Sequence, residues 1–222
     1  MDRFRDRHGY HVPLPEEKVG EVILREVFDL LGAGLDHLGT GYAGLRVCEL
    51  GDQLMEWDPH GTGKRYFESL GSNHVSIDLN GRNGSLPLDL TEQFDEATWG
   101  CKFDMVTNFG TTEHVRDQFP IFRNIHLFTR PGGVMIHTIP PVGAWTRHLH
   151  CHCWYRPGFF RALAGANGYK VILERVTTVA LSRGRSEPML CAILERTDSP
   201  HADRAVFDEK VGLEMERKGL HS

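Results

Sequence analysis

Hydrophobic residues follow two different spacings along the chain. Between residues 16 and 35 they recur every three or four positions, which predicts an amphipathic helix. From residue 45 onward, short apolar runs alternate with longer stretches of mixed polarity. Four of the apolar runs predict buried strands, at 45–50, 74–79, 102–109 and 132–139. Three of the mixed stretches predict helices, at 61–71, 115–130 and 157–168.

Two further apolar runs follow, 169–181 and 188–197, and the polar segment "SRGRSE" separates them. No helix fits between these runs, so they are expected to pair as an antiparallel hairpin. The charged residues after them predict a terminal helix near 204–218. Strands that alternate with helices and end in a hairpin predict one α/β domain with a doubly wound, mostly parallel sheet.

Composition narrows the classes of function. The 222 residues are 40% hydrophobic and 25% charged, which is ordinary for a soluble globular protein. A net charge of −5 argues against nucleic-acid binding, because neutralising phosphates needs an excess of Lys and Arg. No secretory signal is expected, and no stretch approaches the roughly 18 apolar residues of a membrane span. The five cysteines are an odd number, which favours a reduced, cytoplasmic setting.

The segment "LRVCELGDQL" (45–54) raises the question of a nucleotide-binding loop. A dinucleotide loop uses several glycines, whereas here Glu49 and Asp52 bracket the single Gly51. Asp52 would repel a pyrophosphate, so the acidic loop favours a cationic, phosphate-free ligand such as S-adenosylmethionine. Asp78, at the end of the second predicted strand, can accept hydrogen bonds from both ribose hydroxyls of an adenosine.

Five stretches resemble, in order, the motifs of class I S-adenosylmethionine-dependent methyltransferases. They are "VCELGDQ", "VSIDLNG", "LPLDLTEQF", "FDMVTNFGTTEHV" and "LFTRPGGVMIHTIP". The resemblance covers roughly residues 44 to 195, and the first stretch departs from the family pattern by lacking two glycines. It implies a Rossmann-like, seven-stranded version of the predicted sheet and S-adenosylmethionine as the cofactor.

The resemblance also implies a set of cofactor-binding residues. Asp78 would hold the ribose, Asp89 and Leu90 would flank the adenine, and residues 108–110 would line the cofactor. The full set is Glu49, Gly51, Asp52, Asp78, Leu79, Asp89, Leu90, Asn108, Phe109 and Gly110. The cofactor domain would span 44–198, with a helical extension at 1–43, a substrate lid near 141–156, and a charged tail or helix at 199–222.

Histidines are the candidates for proton transfer, since imidazole titrates near neutral pH. His114 matches an "EH" pair that is frequent in the family near the acceptor, although it could equally be a histidine bonded to the local backbone. His137 lies inside a predicted strand and is interpreted as a structural residue. His150 occupies a place that resembles a histidine of methyltransferases from sugar and cell-surface biosynthesis. His114 and His150 are therefore the predicted catalytic residues.

The segment "RHLHCHCWYRPGFF" (147–160) has two interpretations. Its histidines and cysteines have the chemistry of zinc ligands, but they alternate and no second Cys/His pair is evident, so no metal site is predicted. The second interpretation is a substrate lid, to which Trp145, Trp154 and Tyr155 would contribute flat apolar contacts. The same aromatic residues could equally pack in the core.

The predicted function is methyl transfer to an oxygen or nitrogen of a small-molecule acceptor, sugar-like acceptors included. The chain is expected to act as a monomer or homodimer, without nucleic-acid or membrane partners. Two alternatives stay open: a nicotinamide-linked (NAD) oxidoreductase, for which no glycine-rich phosphate turn is evident, and a non-catalytic binding protein of the same fold.

Overall fold

The structure, a computed structural model, describes residues 3–5, 11–13, 18–55, 61–144, 151–180 and 186–218. Its strands are β1 Arg3–Arg5, β2 His11–Pro13, β3 Arg46–Leu50, β4 Leu54–Met55, β5 Gly61–Thr62, β6 Asn73–Ile77, β7 Phe103–Phe109, β8 Thr129–Ile139, β9 Cys153–Tyr155, β10 Lys170–Ala180, β11 Ser186–Glu195 and β12 Met215–Arg217. Its helices are α1 Lys18–Leu38, α2 Gly63–Ser69, α3 Glu96–Trp99, α4 Gln118–Phe128, α5 Phe159–Asn167 and α6 Arg204–Lys210. None of the helices in these ranges is long and apolar enough to cross a bilayer.

The central sheet has six strands in the order β6-β3-β7-β8-β11-β10. The first four are mutually parallel, β11 is antiparallel to β8, and β10 is antiparallel to β11. The α/β class, the doubly wound sheet and the C-terminal hairpin are thus confirmed. The strand order reverses between β3 and β7, and ligands of doubly wound sheets bind at the carboxyl ends of the strands beside such a reversal.

The expectation of seven strands is wrong for the described residues, where six strands form the sheet. Beyond β6, at the edge of the sheet, Leu86 makes a single parallel bridge to Ile77. The Leu86 N–H donates to the Ser76 carbonyl, and the Leu86 carbonyl accepts from the Asp78 N–H. The next N–H on that side belongs to Leu88 and bonds back to the Leu86 carbonyl at 2.9 Å, so the ladder stops at one bridge.

Both faces of the sheet are covered by helices. One face packs Val47, Met105 and Ile136 against the apolar stripe of α1, to which Leu30 and Leu31 belong. Thus the helix that the sequence assigns to an N-terminal extension lies directly on the sheet. The other face packs against α4, α5 and α6. Its fully buried aromatic side chains include Phe122, Phe128, Phe159, Phe160 and Phe207.

An ion-pair cluster fixes the amino end of the sheet, opposite the ligand-binding edge. The Arg46 guanidinium donates to both carboxylate oxygens of Asp104 at 2.9 Å, and Arg130 Nε donates to Oδ1 at 2.6 Å. The Arg46 guanidinium holds the pKa of Asp104 well below its usual range. The cluster therefore joins β3, β7 and β8 where each strand begins.

The predicted terminal helix at 204–218 is wrong in its second half. Helix α6 begins where the Asp203 side chain accepts the Val206 N–H, and it ends at Lys210. Residues 212–214 then form a 3-10 turn, and β12 pairs antiparallel with β9. The buried Met215 side chain and the pairing with β9 hold the last residues extended, which helical periodicity alone does not reveal.

Three buried histidines predict that the folded chain is sensitive to acid. Burial lowers the pKa of His126 and His137 to about 3 and that of His201 to about 4, whereas unfolded histidines titrate near about 6.5. Below that pH the unfolded chain binds up to three more protons than the folded chain, until the pH reaches the folded pKa values. We expect the urea-derived free energy of unfolding to fall by on the order of 4 kcal/mol between about pH 7.5 and about pH 5.5.

The control for this prediction is His201→Gln, which removes one of the three groups. The fall in the free energy of unfolding should then shrink by about a third. A stability that is flat over this pH range in the unaltered protein would contradict the assignment, and so would a variant with an undiminished fall.

Candidate functional site

The loop after β3 is bonded to the end of β6. The Gly51 N–H donates to the Ile77 carbonyl at 2.7 Å, and Gly51 has a φ of 91°, a conformation that favours glycine. The Asp52 N–H donates to Asp78 Oδ2 at 2.9 Å, and the Asn80 N–H donates to Oδ1 at 3.0 Å. The structure therefore brings Gly51, Asp52 and Asp78 together, and two backbone donors fix the orientation of the Asp78 carboxylate.

Asn83 joins this group, although the sequence analysis did not select it. Its Nδ2 donates to Asp52 Oδ2 at 2.8 Å, and its backbone has a φ of 52°. The segment from Gly81 to Gly84 reverses the chain through this left-handed backbone, so that the loop after β6 reaches the loop after β3. The signal in the sequence was the Asn83-Gly84 pair, a dipeptide typical of tight turns.

Glu49 is buried beneath the loop, with 1% of its surface exposed. Its Oε1 accepts the Gln53 N–H at 2.8 Å, and its Oε2 lies 2.9 Å from His74 Nε2. A side chain at Gly63, the first residue of α2, would collide with this carboxylate. Glu49 therefore occupies the space between β3, β6 and α2.

His74 is held in one orientation by its surroundings. Its ring stacks on Phe67 with the ring centroids 5.2 Å apart, and Nδ1 has no hydrogen-bond partner among the described residues. An unpartnered lone pair costs less than an unpartnered N–H, so the geometry favours the tautomer that donates from Nε2 to Glu49.

The Asn108 side chain is fully buried and joins three segments at the carboxyl end of the sheet. Its Nδ2 donates to Thr112 Oγ1 at 3.0 Å and to His137 Nδ1 at 3.1 Å. Its Oδ1 accepts the N–H groups of Thr111 and Thr112 at 3.3 and 3.2 Å. Thr111 Oγ1 then donates to the Leu50 carbonyl at 2.7 Å, which connects β7 to the end of β3. The Asn108 side chain thus organises the loops at this end of the sheet.

His137 is buried beside Asn108, as predicted for a structural residue. It accepts a hydrogen bond from Asn108 at Nδ1, so its proton is on Nε2. The imidazole ring lies against Phe160, with the ring centroids 4.6 Å apart. Burial lowers the pKa of His137 to about 3, so the ring is neutral at physiological pH.

The remaining predicted cofactor residues differ in their exposure. Leu79 is 70% exposed, an unusual state for a large apolar side chain, and it directly follows Asp78. Leu90 is buried in the core, so that only its backbone can face a ligand. The Asp89 carboxylate accepts the N–H and the hydroxyl of Thr91. Phe109 is half-buried and packs against the α1 side of the sheet.

Gly110 turns the chain between β7 and the 3-10 turn Thr112–His114 with a φ of 73°. In this turn Glu113 is buried, whereas 24% of the His114 side chain is exposed. His114 Nε2 lies 3.8 Å from Glu113 Oε1. The predicted catalytic residue His114 therefore lies at the carboxyl end of β7, beside a buried carboxylate. His150 and Trp145 lie outside the described residues.

The segment 151–155 packs against this turn. The His152 N–H donates to the Glu113 carbonyl at 2.7 Å. The Tyr155 hydroxyl donates to Gln118 Oε1 at 2.8 Å, and its oxygen lies 3.0 Å from Thr112 Oγ1. Trp154 and Tyr155 are both buried. For these two residues the burial agrees with the interpretation of core packing, and residues 153–155 form strand β9.

Comparisons with known proteins are informative only at the level of structure. No protein-family model matches the chain, and no curated protein matches it either. Among solved structures, the 1,6-didemethyltoxoflavin-N1-methyltransferase of Burkholderia thailandensis has a TM-score of 0.55 and 15% identity, covering 84% of this chain and 92% of its own. That structure contains 1,6-didemethyltoxoflavin and S-adenosylhomocysteine. An S-adenosylmethionine-dependent methyltransferase of Mesorhizobium loti has a TM-score of 0.52 and 16% identity, covering 75% of this chain and 100% of its own.

These similarities show that the chain has the fold of class I S-adenosylmethionine-dependent methyltransferases. The fold expected from the five sequence motifs is therefore confirmed. The similarities cover most of the length of both partners.

Two neighbouring residues of β7 test the role assigned to Asn108. Asn108→Ala removes four hydrogen bonds and leaves their buried partners unsatisfied, so we expect a loss of about 2–4 kcal/mol of stability in urea unfolding. Thr107→Val is the matched control, because Thr107 is equally buried and its hydroxyl has no partner among the described residues. The control should change stability by less than about 0.5 kcal/mol or increase it. Equal losses in the two variants would contradict the role of Asn108.

Proposed function

We propose that the chain is a methyltransferase that uses S-adenosylmethionine and transfers the methyl group to an oxygen or nitrogen of a small-molecule acceptor. The observation that carries this proposal is the contact between the Gly51 turn and the Asp78 carboxylate, at the strand reversal of a class I methyltransferase fold. Open α/β sheets bind their ligands at such a reversal.

The acceptor and apolar groups at this edge fit an adenosine. A carboxylate has about four acceptor positions, so Asp78 can accept the N–H groups of Asp52 and Asn80 and also ribose hydroxyls. The exposed Leu79 side chain offers an apolar surface next to the ribose position, and a purine ring is flat and apolar enough to cover it. The positive φ at Gly51 and Gly110 leaves backbone without side chains on either side of the β3–β7 reversal.

Charge favours this cofactor over a nicotinamide dinucleotide. The Asp52 N–H donates to the Asp78 carboxylate, so two acidic residues lie next to each other at the predicted binding edge. A pyrophosphate there would be repelled by both carboxylates, whereas S-adenosylmethionine has no phosphate and carries an ammonium and a sulfonium. Glu49 has its carboxylate oxygens engaged by Gln53 and His74, so we assign it to positioning the loop.

The cofactor supplies a methyl group that the sulfonium already activates, and the residues of the chain would position the acceptor and accept its proton. His114 is placed for that role at the end of β7, and Glu113 Oε1, 3.8 Å away, would stabilise the imidazolium that forms. A sugar-like acceptor remains the finer proposal, and its support is the likeness of the His150 segment to methyltransferases of sugar biosynthesis.

Isothermal titration with S-adenosylhomocysteine tests the proposal. We expect saturable binding to the unaltered protein and binding weakened about 10- to 100-fold in Asp78→Asn, because a charge-assisted hydrogen bond contributes about 1.5–3 kcal/mol. The control is Asp203→Asn, a helix N-cap where asparagine serves equally well. Transfer of a labelled methyl group from S-adenosylmethionine to a panel of hydroxyl and amine compounds then identifies the acceptor class.

The proposal fails if the unaltered protein does not bind S-adenosylhomocysteine at millimolar concentration. Binding of NADH in its place would support the oxidoreductase alternative. Equal binding to the Asp78 and Asp203 variants, with both melting like the unaltered protein, would place the cofactor elsewhere on the sheet.

A further inference from the structure

Glu113, His114 and Cys151 form a cluster that the sequence alone does not reveal. Each offers one ligand atom, and the three atoms lie within 4.8 Å of one another. Glu113 and Cys151 are buried, and His114 is partly exposed. The histidine and the carboxylate come from the turn after β7, whereas the thiol comes from the segment before β9.

We propose that these three side chains form a binding site for Zn²⁺ with an open fourth position. A carboxylate, an imidazole and a thiolate are all ligands that zinc accepts, and three protein ligands plus one exchangeable position are typical of catalytic zinc. Tetrahedral zinc bonds of about 2.0–2.3 Å place ligand atoms roughly 3.3–3.8 Å apart. The distance of 3.8 Å between Glu113 Oε1 and His114 Nε2 already meets this requirement. The Cys151 sulfur is within 4.8 Å of the other two ligand atoms, so it exceeds the required separation by at most about 1 Å.

The two segments that supply the ligands are held in register by hydrogen bonds on both sides of the cluster. His152, next to Cys151, donates its N–H to the Glu113 carbonyl at 2.7 Å. The Cys153 thiol lies 3.6 Å from the Val115 carbonyl. These contacts fix the backbone of both segments, with the three ligand atoms within 4.8 Å of one another.

Charge balance supports the same ion. The Cys151 thiol loses its proton to solvent when the sulfur–zinc bond forms, so the site would contain a thiolate, a carboxylate, a neutral imidazole and Zn²⁺. These charges sum to zero. A neutral set is the form that a buried position tolerates best, because an uncompensated charge there carries a large desolvation cost.

The site would also refine the proposed function, on which this step rests. The open position lies at the end of β7, where the acceptor is expected, and zinc lowers the pKa of a bound hydroxyl or thiol. His114 would then serve as a metal ligand, and the acceptor would reach the methyl group already deprotonated. An acceptor with a metal-binding oxygen or sulfur would be favoured over an amine.

Cobalt substitution tests the metal site directly. The metal-free protein is titrated with Co²⁺, and we expect one equivalent to bind with a sulfur-to-cobalt charge-transfer band that one equivalent of Zn²⁺ abolishes. Cys151→Ser should lose the band, and Cys153→Ser, two residues away and also buried, should keep it. His114→Gln, at a partly exposed position where folding is least at risk, should weaken Co²⁺ binding by more than about 100-fold.

Substoichiometric Co²⁺ binding would overturn the proposal, as would a charge-transfer band that Cys151→Ser retains. Titration with S-adenosylhomocysteine on the same samples separates this result from the proposed function. Metal binding without S-adenosylhomocysteine binding would support the zinc site and contradict the proposed methyltransferase function. S-adenosylhomocysteine binding without metal would do the reverse and leave His114 as the base.

Discussion

The carboxyl edge of the sheet depends on the side-chain amide of Asn108. An amide has two hydrogens and two acceptor lone pairs, and here all four are used within the protein. Through them β7 is joined to β8 at His137 and to the turn at residues 111–112. Thr111 continues the connection to β3, and Tyr155 connects the segment before α5 to Thr112. The ends of parallel strands have no ladder beyond their last residue, so side chains must supply this order.

The buried pair of Glu49 and His74 determines which acids can face a ligand. The acidic loop has two carboxylates, Glu49 and Asp52, but Glu49 lies under the loop with His74 and Gln53. Asp52 and Asp78 lie together above it, joined by a backbone hydrogen bond. The charge argument made from Glu49 and Asp52 therefore applies to Asp52, which has Asp78 of the next strand beside it. Glu49 contributes by fixing the course of the loop, and the absent Cβ at Gly63 makes room for it.

The fold could largely be predicted because burial imposes a regular pattern. Strands 103–109 and 170–180 were predicted to within one residue, since apolar runs mark a strand in the interior of the sheet (β7) as well as one at its edge (β10). The pattern fails where one local feature overrides it. The Leu88 N–H bonds back to Leu86 and ends its pairing after one bridge, and the pairing of β12 with β9 extends a segment whose charges resemble those of a helix surface.

The candidate site was less predictable, because its contacts join residues distant in sequence. Alternation along β7 does place Asn108 on the same face as Val106, and this could have indicated a buried side chain. No periodicity, however, relates Tyr155 to Gln118 or Cys151 to His114. Such pairs exist only once the loops have a defined register. This is why the alternating histidines and cysteines of residues 147–153 contained no complete metal site when considered alone.

The cluster at the end of β7 bears on how an acceptor loses its proton. Transfer of a methyl group from a sulfonium removes one positive charge from the cofactor, so a hydroxyl acceptor must lose its proton for the product to be neutral. An imidazole base would retain that proton close to the Glu113 carboxylate, which stabilises it. A zinc ion would have released the proton to solvent before the acceptor met the methyl group. Both routes need a buried negative charge beside His114, and Glu113 supplies it in either case.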